Sequence, residues 1–244
     1  MQDFLQAIID AHGGLERWNR LSSAELDLNF SGIVLEMKGF PRHLRPHCAI
    51  DLRSQRVVIQ GIGAAADELC VYTPDRVWSE RPDGSVTATL DRPRQALMQM
   101  PREEPWHPLH LAYFIGYAFR NYLTVPFTFT EPGMRFRDLG THAEAGETWR
   151  KIEVSYPGDI PVHTATQVLY FGPDHLLRRL DYSVDVLGGG PANHYCYDYR
   201  SFDGIMMPMV RRVVSPMDMG PLQAGRTTIF LLDYVDLVFH GTKG

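Results

Sequence analysis

Most of the chain consists of short segments in which apolar and polar residues alternate. The pattern starts at Ser23, after which Leu26, Leu28 and Phe30 are separated by polar residues. A period of two is typical of strands with one buried face, because successive side chains point to opposite faces. Turn sequences such as TPDR and RPDGS separate the segments, since proline presets one dihedral angle and glycine permits positive φ. The sequence therefore predicts a series of antiparallel hairpins, with roughly a dozen strands in all.

Helical spacing of apolar residues is found in two regions only. Residues 2–11 have this spacing, with Asp3 as a candidate N-cap, and residues 15–21 predict a second short helix. The segment IVLEMKGF, residues 33–40, is interpreted as a strand. In mid-chain, a short helical piece is followed by one long helix that begins near Trp106.

These elements predict an α+β fold in one domain that covers residues 1–244. Hydrophobic residues make up 44% of the 244, enough for a sizeable core. A sheet of so many sequential strands must bury one face. It can do so by curving strongly into a half-barrel, with helices plugging its concave face. A mostly apolar cavity is expected on that concave side.

Three stretches give this pattern a family likeness: FPRHLRPHCAIDL before the early strands, LYFGPDHLLRRLDY in the second half, and the closing YRSFDGIMMP. The chain resembles the bacterial lipoprotein-carrier superfamily, which has the LolA/LolB-like fold, and in particular an uncharacterised bacterial branch of it. The resemblance implies a half-barrel around an apolar cavity for acyl chains. It does not imply lipoprotein transport, because the N-terminus shows no export signal or lipobox cysteine.

The long helix PWHPLHLAYFIGYAFRNYLTVPF carries two faces of buried character. One stripe is aromatic with polar tips, and such side chains are common in ligand cavities. Trp106 and Phe114 are predicted to line the cavity. The alternative is a lid helix whose tyrosines bond to sheet-edge carbonyls. If the protein is an enzyme, the stripe supplies the candidate catalytic residues, which are His110, Tyr113, Tyr117 and Arg120.

The strand NHYCYDYR, residues 193–200, is the second dense stretch of candidate residues. Its two faces alternate, and a slip of one residue exchanges them. Burial favours the interpretation in which the tyrosines face the cavity. In the other register His194 and Asp198 would form an acid/base pair. The predicted ligand-binding residues outside the helix are therefore Tyr195, Tyr197 and Tyr199, together with Trp78 as a candidate for the cavity wall.

Several classes of function have no support in the sequence. The motifs of metalloproteases, zinc ribbons and nucleotide-binding loops are absent, so no metal site and no cofactor are expected. His107 and His110 could share a metal, but a helix-start pair is favoured. The net charge is −5 and no basic stripe is visible, so no nucleic-acid partner is expected. The long helix contains histidines and Arg120, so it is not interpreted as a transmembrane segment.

The three cysteines are far apart and odd in number, which is typical of buried thiols in a reducing cytoplasm. The leading hypothesis is intracellular binding of a hydrophobic small molecule, such as an acyl, isoprenoid or polyketide-like compound. The alternative is a cofactor-free enzyme, a cyclase, isomerase or lyase, that uses acid/base residues in the same cavity. The sequence decides neither between binder and enzyme nor on an oligomeric state.

Overall fold

A computed structural model describes residues 1–216 and 228–241, and one antiparallel sheet of fourteen strands dominates them. The strands are β1 (Leu21–Ser31), β2 (His43–Leu44), β3 (His47–Asp51), β4 (Val57–Gln60), β5 (Leu69–Tyr72), β6 (Arg76–Glu80), β7 (Val86–Asp91), β8 (Arg135–Glu144), β9 (Glu147–Ser155), β10 (Thr166–Phe171), β11 (Leu177–Val184), β12 (Gly190–Phe202), β13 (Ile205–Val214) and β14 (Thr228–Gly241).

The order of the strands across the sheet is β7-β6-β5-β4-β3-β1-β14-β13-β12-β11-β10-β9-β8, and the short β2 pairs with β1. The sheet is not closed, since β7 and β8 are its two edges. Almost all neighbours in this order are also neighbours in the chain. The pairing of β1 with β14 joins the first half of the sheet, β1–β7, to the second half, β8–β14. The predicted α+β fold with a curved antiparallel sheet of about a dozen strands is confirmed. The prediction of one domain stays a prediction.

Five α-helices accompany the sheet in the described residues: α1 (Gln2–Ala11), α2 (Leu15–Trp18), α3 (Ile33–Met37), α4 (Pro93–Gln99) and α5 (Pro108–Thr124). Single 3-10 turns lie at Phe127–Thr130 and Asp185–Leu187. The long helix α5 begins at Pro108, two residues after the predicted start. His107 is the N-cap, and its ring accepts a hydrogen bond from the Leu109 amide at 3.3 Å. Proline suits the next position because the first helical amides have no partner within the helix.

Helix α5 fills the concave side of the sheet. Fourteen of its 17 residues are buried, which is typical of a helix that is apolar on all sides. The approach to the sheet is closest at Gly116. A Cβ atom at this position would lie 2.2 Å from Cγ of Tyr72 on β5. Glycine therefore sets the distance between the helix and this half of the sheet.

Two local predictions are wrong. Residues 33–37 form α3 and not a strand, because only Leu35 of this segment is buried whereas Met37 is 61% exposed. One buried position per turn suits a short helix better than a strand. Gly32, at φ +151, has already turned the chain against β14, where a Cβ would lie 2.1 Å from the Ile229 carbonyl oxygen. At the N-terminus, the N-cap of α1 is Met1 and not Asp3.

Candidate functional site

An open cleft of about 1130 Å³ lies beside α5. Helix α4 forms one wall, and the connection between β9 and β10 forms the facing wall. Tyr113 of α5 also lines the cleft, together with Gln55, Pro74 and Asp75 from two turns of the sheet. The cleft is therefore built from connections between strands and from α4, where loops carry side chains that the sheet holds in place.

Arg94 of α4 holds these walls together. Its guanidinium donates to the Val162 carbonyl oxygen at 2.9 Å and pairs with the Asp185 carboxylate at 3.0 Å. It also interacts with the Tyr113 hydroxyl. Burial raises the pKa of Tyr113, although Arg94 opposes that shift. Tyr113 is therefore a neutral phenol, placed to donate or accept a hydrogen bond at the inner side of the cleft.

The lining of the cleft is amphipathic. Met98, Ile160 and Val162 give it apolar surface, and prolines of the same loops add to it. Three glutamines bring amide groups, which are Gln55, Gln95 and Gln99. Three carboxylates and two guanidiniums also line it: Asp75, Asp159, Asp185, Arg92 and Arg94. Apolar surface with a few converging polar groups is typical of sites that bind small molecules.

A buried polar network begins one helical turn beyond Tyr113. The rings of Tyr113 and Tyr117 have centroids 5.2 Å apart. The Tyr117 hydroxyl is hydrogen-bonded to Nδ1 of His163 at 2.8 Å, and the Tyr122 hydroxyl to its Nε2 at 2.7 Å. His163 belongs to the connection that lines the cleft, so α5 is tied to that connection by both nitrogens of one imidazole.

The network continues into the second half of the sheet. The His163 ring stacks on Tyr182 of β11, with centroids 4.4 Å apart. The Tyr182 hydroxyl is hydrogen-bonded to Nδ1 of His194 on β12 at 3.1 Å and to the Tyr122 hydroxyl at 3.3 Å. His194 in turn meets the Tyr122 ring edge to face at 4.6 Å. Polar contacts of this kind satisfy groups that would otherwise be costly to bury.

Arg211 of β13 closes the network as a buried cation. It donates to the Tyr122 carbonyl oxygen at 2.9 Å and to Sγ of Cys196 at 3.2 Å, and its guanidinium lies 4.9 Å from the Tyr122 ring centroid. Among the described residues no carboxylate lies within 4.0 Å of it. The aromatic face of Tyr122 and the carbonyl oxygen partly replace a counter-ion.

Burial keeps both histidines of the network neutral. It lowers the pKa of His163 to about 3, and the charge of Arg94 adds to the shift. Burial and the charge of Arg211 hold the pKa of His194 well below its usual value. A neutral imidazole has one donor and one acceptor nitrogen, so one of Tyr117 and Tyr122 donates to His163 and the other accepts from it. A group with so low a pKa is a poor general base at neutral pH, which favours a structural role.

The four candidate catalytic residues of α5 do not converge. Tyr113 lines the cleft and Tyr117 joins the network, but the other two point elsewhere. His110 is half-buried and accepts a hydrogen bond from the His107 amide at 3.1 Å, which completes the cap of α5. Arg120 donates to the carbonyl oxygens of Ser54 at 2.8 Å and Leu52 at 3.4 Å. The four residues lie on α5 as the spacing predicts, but His110 caps its own helix and Arg120 contacts the β3–β4 turn. A catalytic role for them stays a prediction.

Trp106 and Phe114 are both core residues, and neither lines the cleft. Their rings pack together with centroids 5.5 Å apart. The Lys38 ammonium lies 5.3 Å from the Trp106 ring, and Phe114 packs on His163 at 5.5 Å. Phe114 therefore supports the network from the apolar side. Direct contact with a ligand stays a prediction for both residues.

The predicted orientation of the tyrosines on β12 is wrong for Tyr195 and Tyr197. His194 points to α5, so Tyr195 points to the outer face of the sheet, where it packs with Trp149 and Val214. Tyr197 lies on the same outer face and is 47% exposed. The buried set of this strand includes His194 and Cys196, because Tyr182 and Arg211 satisfy the imidazole and Arg211 also donates to the thiol.

Tyr199 does face inward, because Asp198 interrupts the alternation. Asp198 has φ +54, and the side chain that follows it returns to the core side. The Tyr199 hydroxyl donates to the Leu177 carbonyl oxygen at 2.8 Å. Asp198 pairs with Arg200 at 2.8 Å and not with His194, so the suggested acid/base pair does not form.

Trp78 also lies on the outer face of its strand. Its neighbour Val77 belongs to the core, and the Trp78 indole donates to Glu80 Oε2 at 2.8 Å. The residues that sequence reasoning missed are those of the cleft and of the network: Arg94, His163, Tyr182, Asp185 and Arg211. Arg94 and Asp185 are distant in sequence, so no local spacing of residues predicts that they pair.

Two further kinds of feature are absent from the described residues. No group of three or more His, Cys, Asp or Glu residues within ranges 1–216 and 228–241 is arranged to hold a metal ion. None of the helices in that part of the chain combines the length and hydropathy that a membrane span requires.

Comparison with solved structures identifies similar folds. A LolA superfamily protein from Nitrosomonas europaea matches with a TM-score of 0.55 at 12% identity, over 98% of this chain and 94% of that chain. A candidate outer membrane lipoprotein-sorting protein domain from Vibrio parahaemolyticus matches with a TM-score of 0.53 at 11% identity, over 99% and 93%. Comparisons with protein-family models and with curated proteins find no match. This chain therefore has a LolA-like fold, as the resemblance in its sequence implies.

Proposed function

We propose that the protein binds a hydrophobic small molecule with a polar end in the cleft between α4 and the β9–β10 connection. The observation that carries this proposal is the cleft itself, whose volume of about 1130 Å³ and amphipathic lining suit an amphiphile. Small-molecule sites commonly have volumes of roughly 300–1,000 Å³. An acyl, isoprenoid or polyketide-like chain would contact Met98, Ile160 and Val162, and its polar end would meet Tyr113 and Arg94.

The comparisons give this proposal a second line of support. One similar structure is described as a lipoprotein-sorting domain, so a related fold is associated with a lipid-bearing cargo. In this chain α5 occupies the concave side of the sheet. The ligand is therefore proposed to lie in the cleft beside α5 and not beneath it.

The alternative enzyme would need acid/base groups that converge on the cleft. Of the four candidates only Tyr113 lines it, and burial raises the pKa of that phenol. Tyr113 and Arg94 could orient a ligand, but His110 and Arg120 are held by other contacts. Binding therefore agrees better with the geometry than catalysis.

We further propose that binding takes place inside the cell. Cys48, Cys70 and Cys196 are free and buried, and unpaired thiols are typical of reducing compartments. Burial raises the pKa of Cys70 to about 12, which protects it from oxidation. Fractionation of the host cells tests this part of the proposal, and recovery of the protein outside the cytoplasm would contradict it.

Native mass spectrometry of the protein purified from its own host is the first test. A stoichiometric amphiphile that co-purifies would support binding, and incubation with fresh compound would reveal any turnover. A dansyl-labelled undecanoic acid then serves as a defined probe in fluorescence titrations. If the probe does not bind and no molecule co-purifies, the proposal is wrong.

A matched pair of variants locates the site. Gly158 lines the cleft, and a Cβ atom there would have no heavy atom within 4 Å, so Gly158→Trp can fill the cleft without strain. Gly190 also has open space at its Cβ position but does not line the cleft. We expect Gly158→Trp to lower affinity for the probe about tenfold or more, as lost apolar contact implies, and Gly190→Trp to leave it unchanged. Equal affinities of the two variants would place the probe elsewhere.

A further inference from the structure

We propose that a small oxyanion, a phosphate or a carboxylate, binds in a second pocket, here named the arginine pocket. It has a volume of about 90 Å³ and lies between the end of α2, the β3–β4 turn, the end of α5 and the 3-10 turn that follows α5. Arg53, Arg120 and Thr128 are its polar residues of interest. The pocket is separate from the cleft, so this inference does not depend on the proposed function.

Hydrogen bonds to backbone carbonyl oxygens hold Arg53 and Arg120 in place, and both guanidiniums use Nε and Nη2 as donors. Arg120 uses Nε and Nη2 to donate to Ser54 and Leu52. Arg53 donates through Nε to the Leu21 carbonyl oxygen at 2.8 Å, and through Nη2 to the carbonyl oxygens of Leu21 and Trp18. Among the described residues Nη1 of each guanidinium has no hydrogen-bond partner. The two side chains are therefore fixed with donors left over, which is the arrangement that oxyanions require.

The positive charge of the pocket lacks a direct counter-ion. In the described part of the chain no carboxylate lies within 4.0 Å of either guanidinium. Burial lowers the pKa of Arg120, while the more distant charges of Asp51 and Glu131 oppose the shift. A partly desolvated guanidinium gains more from an anion than an exposed one does, because water screens the interaction less.

The buried hydroxyl of Thr128 is a second, independent observation that points to an anion in this pocket. Thr128 is 7% exposed, and its Oγ1 has no hydrogen-bond partner although it belongs to the lining of the pocket. A buried hydroxyl without a partner is costly, and an oxyanion would accept its proton in a hydrogen bond. Thr128 thus completes a set of donors that comes from three different elements.

The size of the pocket restricts the ligand. A volume of about 90 Å³ is less than a tenth of that of the cleft, so the pocket suits a group as small as phosphate or a carboxylate. Trp18 and Phe127 stack with centroids 4.2 Å apart and form a rigid apolar wall. The anion is therefore either a free ion or the terminal group of a larger molecule that extends into solvent.

Glu131 also lines the pocket, and its carboxylate competes with a bound anion. Removing this charge provides a variant that should gain affinity. Glu131 is exposed, so Glu131→Gln carries little risk for folding. A gain of function at this position would not be expected if the arginines only stabilised the backbone.

Isothermal titration with inorganic phosphate, at constant ionic strength maintained with sodium chloride, tests the inference. We expect saturable binding that falls at least tenfold in Arg120→Lys, several-fold in the isosteric Thr128→Val, and rises several-fold in Glu131→Gln. The exposed Arg137→Gln on β8 is the control and should leave affinity unchanged. Circular dichroism of each variant verifies that it is folded.

Acetate and phenyl phosphate distinguish the sources of the oxyanion. Tighter binding of phenyl phosphate than of inorganic phosphate would identify the terminal group of a larger ligand, and equal or weaker binding would identify the free ion. The inference is overturned if no oxyanion binds more tightly than chloride. It is also overturned if Glu131→Gln and Thr128→Val bind phosphate as the unmodified protein does.

Discussion

Helix α5 contacts the two halves of the sheet in different ways. Against the strands of the first half it packs by shape, with Gly116 against Tyr72, and only near its C-terminal end does Arg120 donate to carbonyl oxygens of the β3–β4 turn. Against the second half it is held by hydrogen bonds that run from Tyr117 and Tyr122 through His163 and Tyr182 to His194. Apolar packing is non-directional, whereas hydrogen bonds require defined distances and angles. We infer that the first half sets how closely α5 approaches the sheet, and that the second half sets the rotation of α5 about its own axis.

The largest effect is expected where the shape contact is closest. In Gly116→Ala the new methyl group would overlap the Tyr72 ring, 2.2 Å from its Cγ atom. Helix and strand must separate, so we expect a loss of about 3 kcal/mol in the free energy of unfolding, measured by urea denaturation. Ala112→Gly, at a fully buried position of α5, should cost about 2 kcal/mol through helix propensity and the loss of one buried methyl group. A loss below that of the control would show that the contact at Gly116 is not limiting.

A smaller loss of stability is expected from substitutions in the hydrogen-bond network that joins α5 to the second half of the sheet. His163→Phe preserves an aromatic ring but leaves the Tyr117 hydroxyl without its partner and removes one partner of Tyr122. Buried hydroxyls that lose a partner cost about 1–3 kcal/mol each, so we expect a loss of about 2 kcal/mol in the free energy of unfolding. Tyr117→Phe should cost about 1 kcal/mol.

The double variant tests whether these residues form one network. In Tyr117→Phe with His163→Phe, no hydroxyl remains at position 117 to be left unpaired, so the loss should be smaller than the sum of the single losses. Additive losses would mean that the two side chains act independently. In that case the hydrogen bond between Tyr117 and His163 would not help to hold the helix against the second half of the sheet.

The same contrast explains what the sequence could predict. Alternation sufficed for β1, whose Leu26, Leu28 and Phe30 are all buried. It failed on β12, because a polar network can bury His194 and because the left-handed conformation of Asp198 exchanges the faces. Local periodicity reports apolar packing well. It carries no information about hydrogen-bond partners that are distant in the sequence.

The candidate site shows the same limit. Tyr113 and Tyr117 were correctly placed on one stripe of a helix, because the spacing is local. Arg94 and Asp185 could not be found in this way, since their pairing depends on the packing of α4 against the 3-10 turn that follows β11. Sites that are assembled from loops therefore cannot be predicted from the spacing of residues in the sequence, even where the fold is predicted correctly.

The smallest and most specific effect is a dependence on pH that only the polar side should show. The pKa of His163 falls from 6.5 to about 3 on folding because of burial. The unfolded state therefore binds the proton first, and the stability contributed by the neutral ring is present above pH 6.5 and lost as pH falls toward 3. This loss amounts to about 1.4 kcal/mol per pH unit in that window.

His163→Phe has no ring nitrogen to protonate, so its deficit of about 2 kcal/mol in the free energy of unfolding at pH 7 should vanish near pH 5. Urea denaturation of both proteins at pH 7, 6 and 5 measures this. A constant deficit for His163→Phe would mean that the folded protein protonates this imidazole as readily as the unfolded chain does, and the buried neutral network would then be wrong.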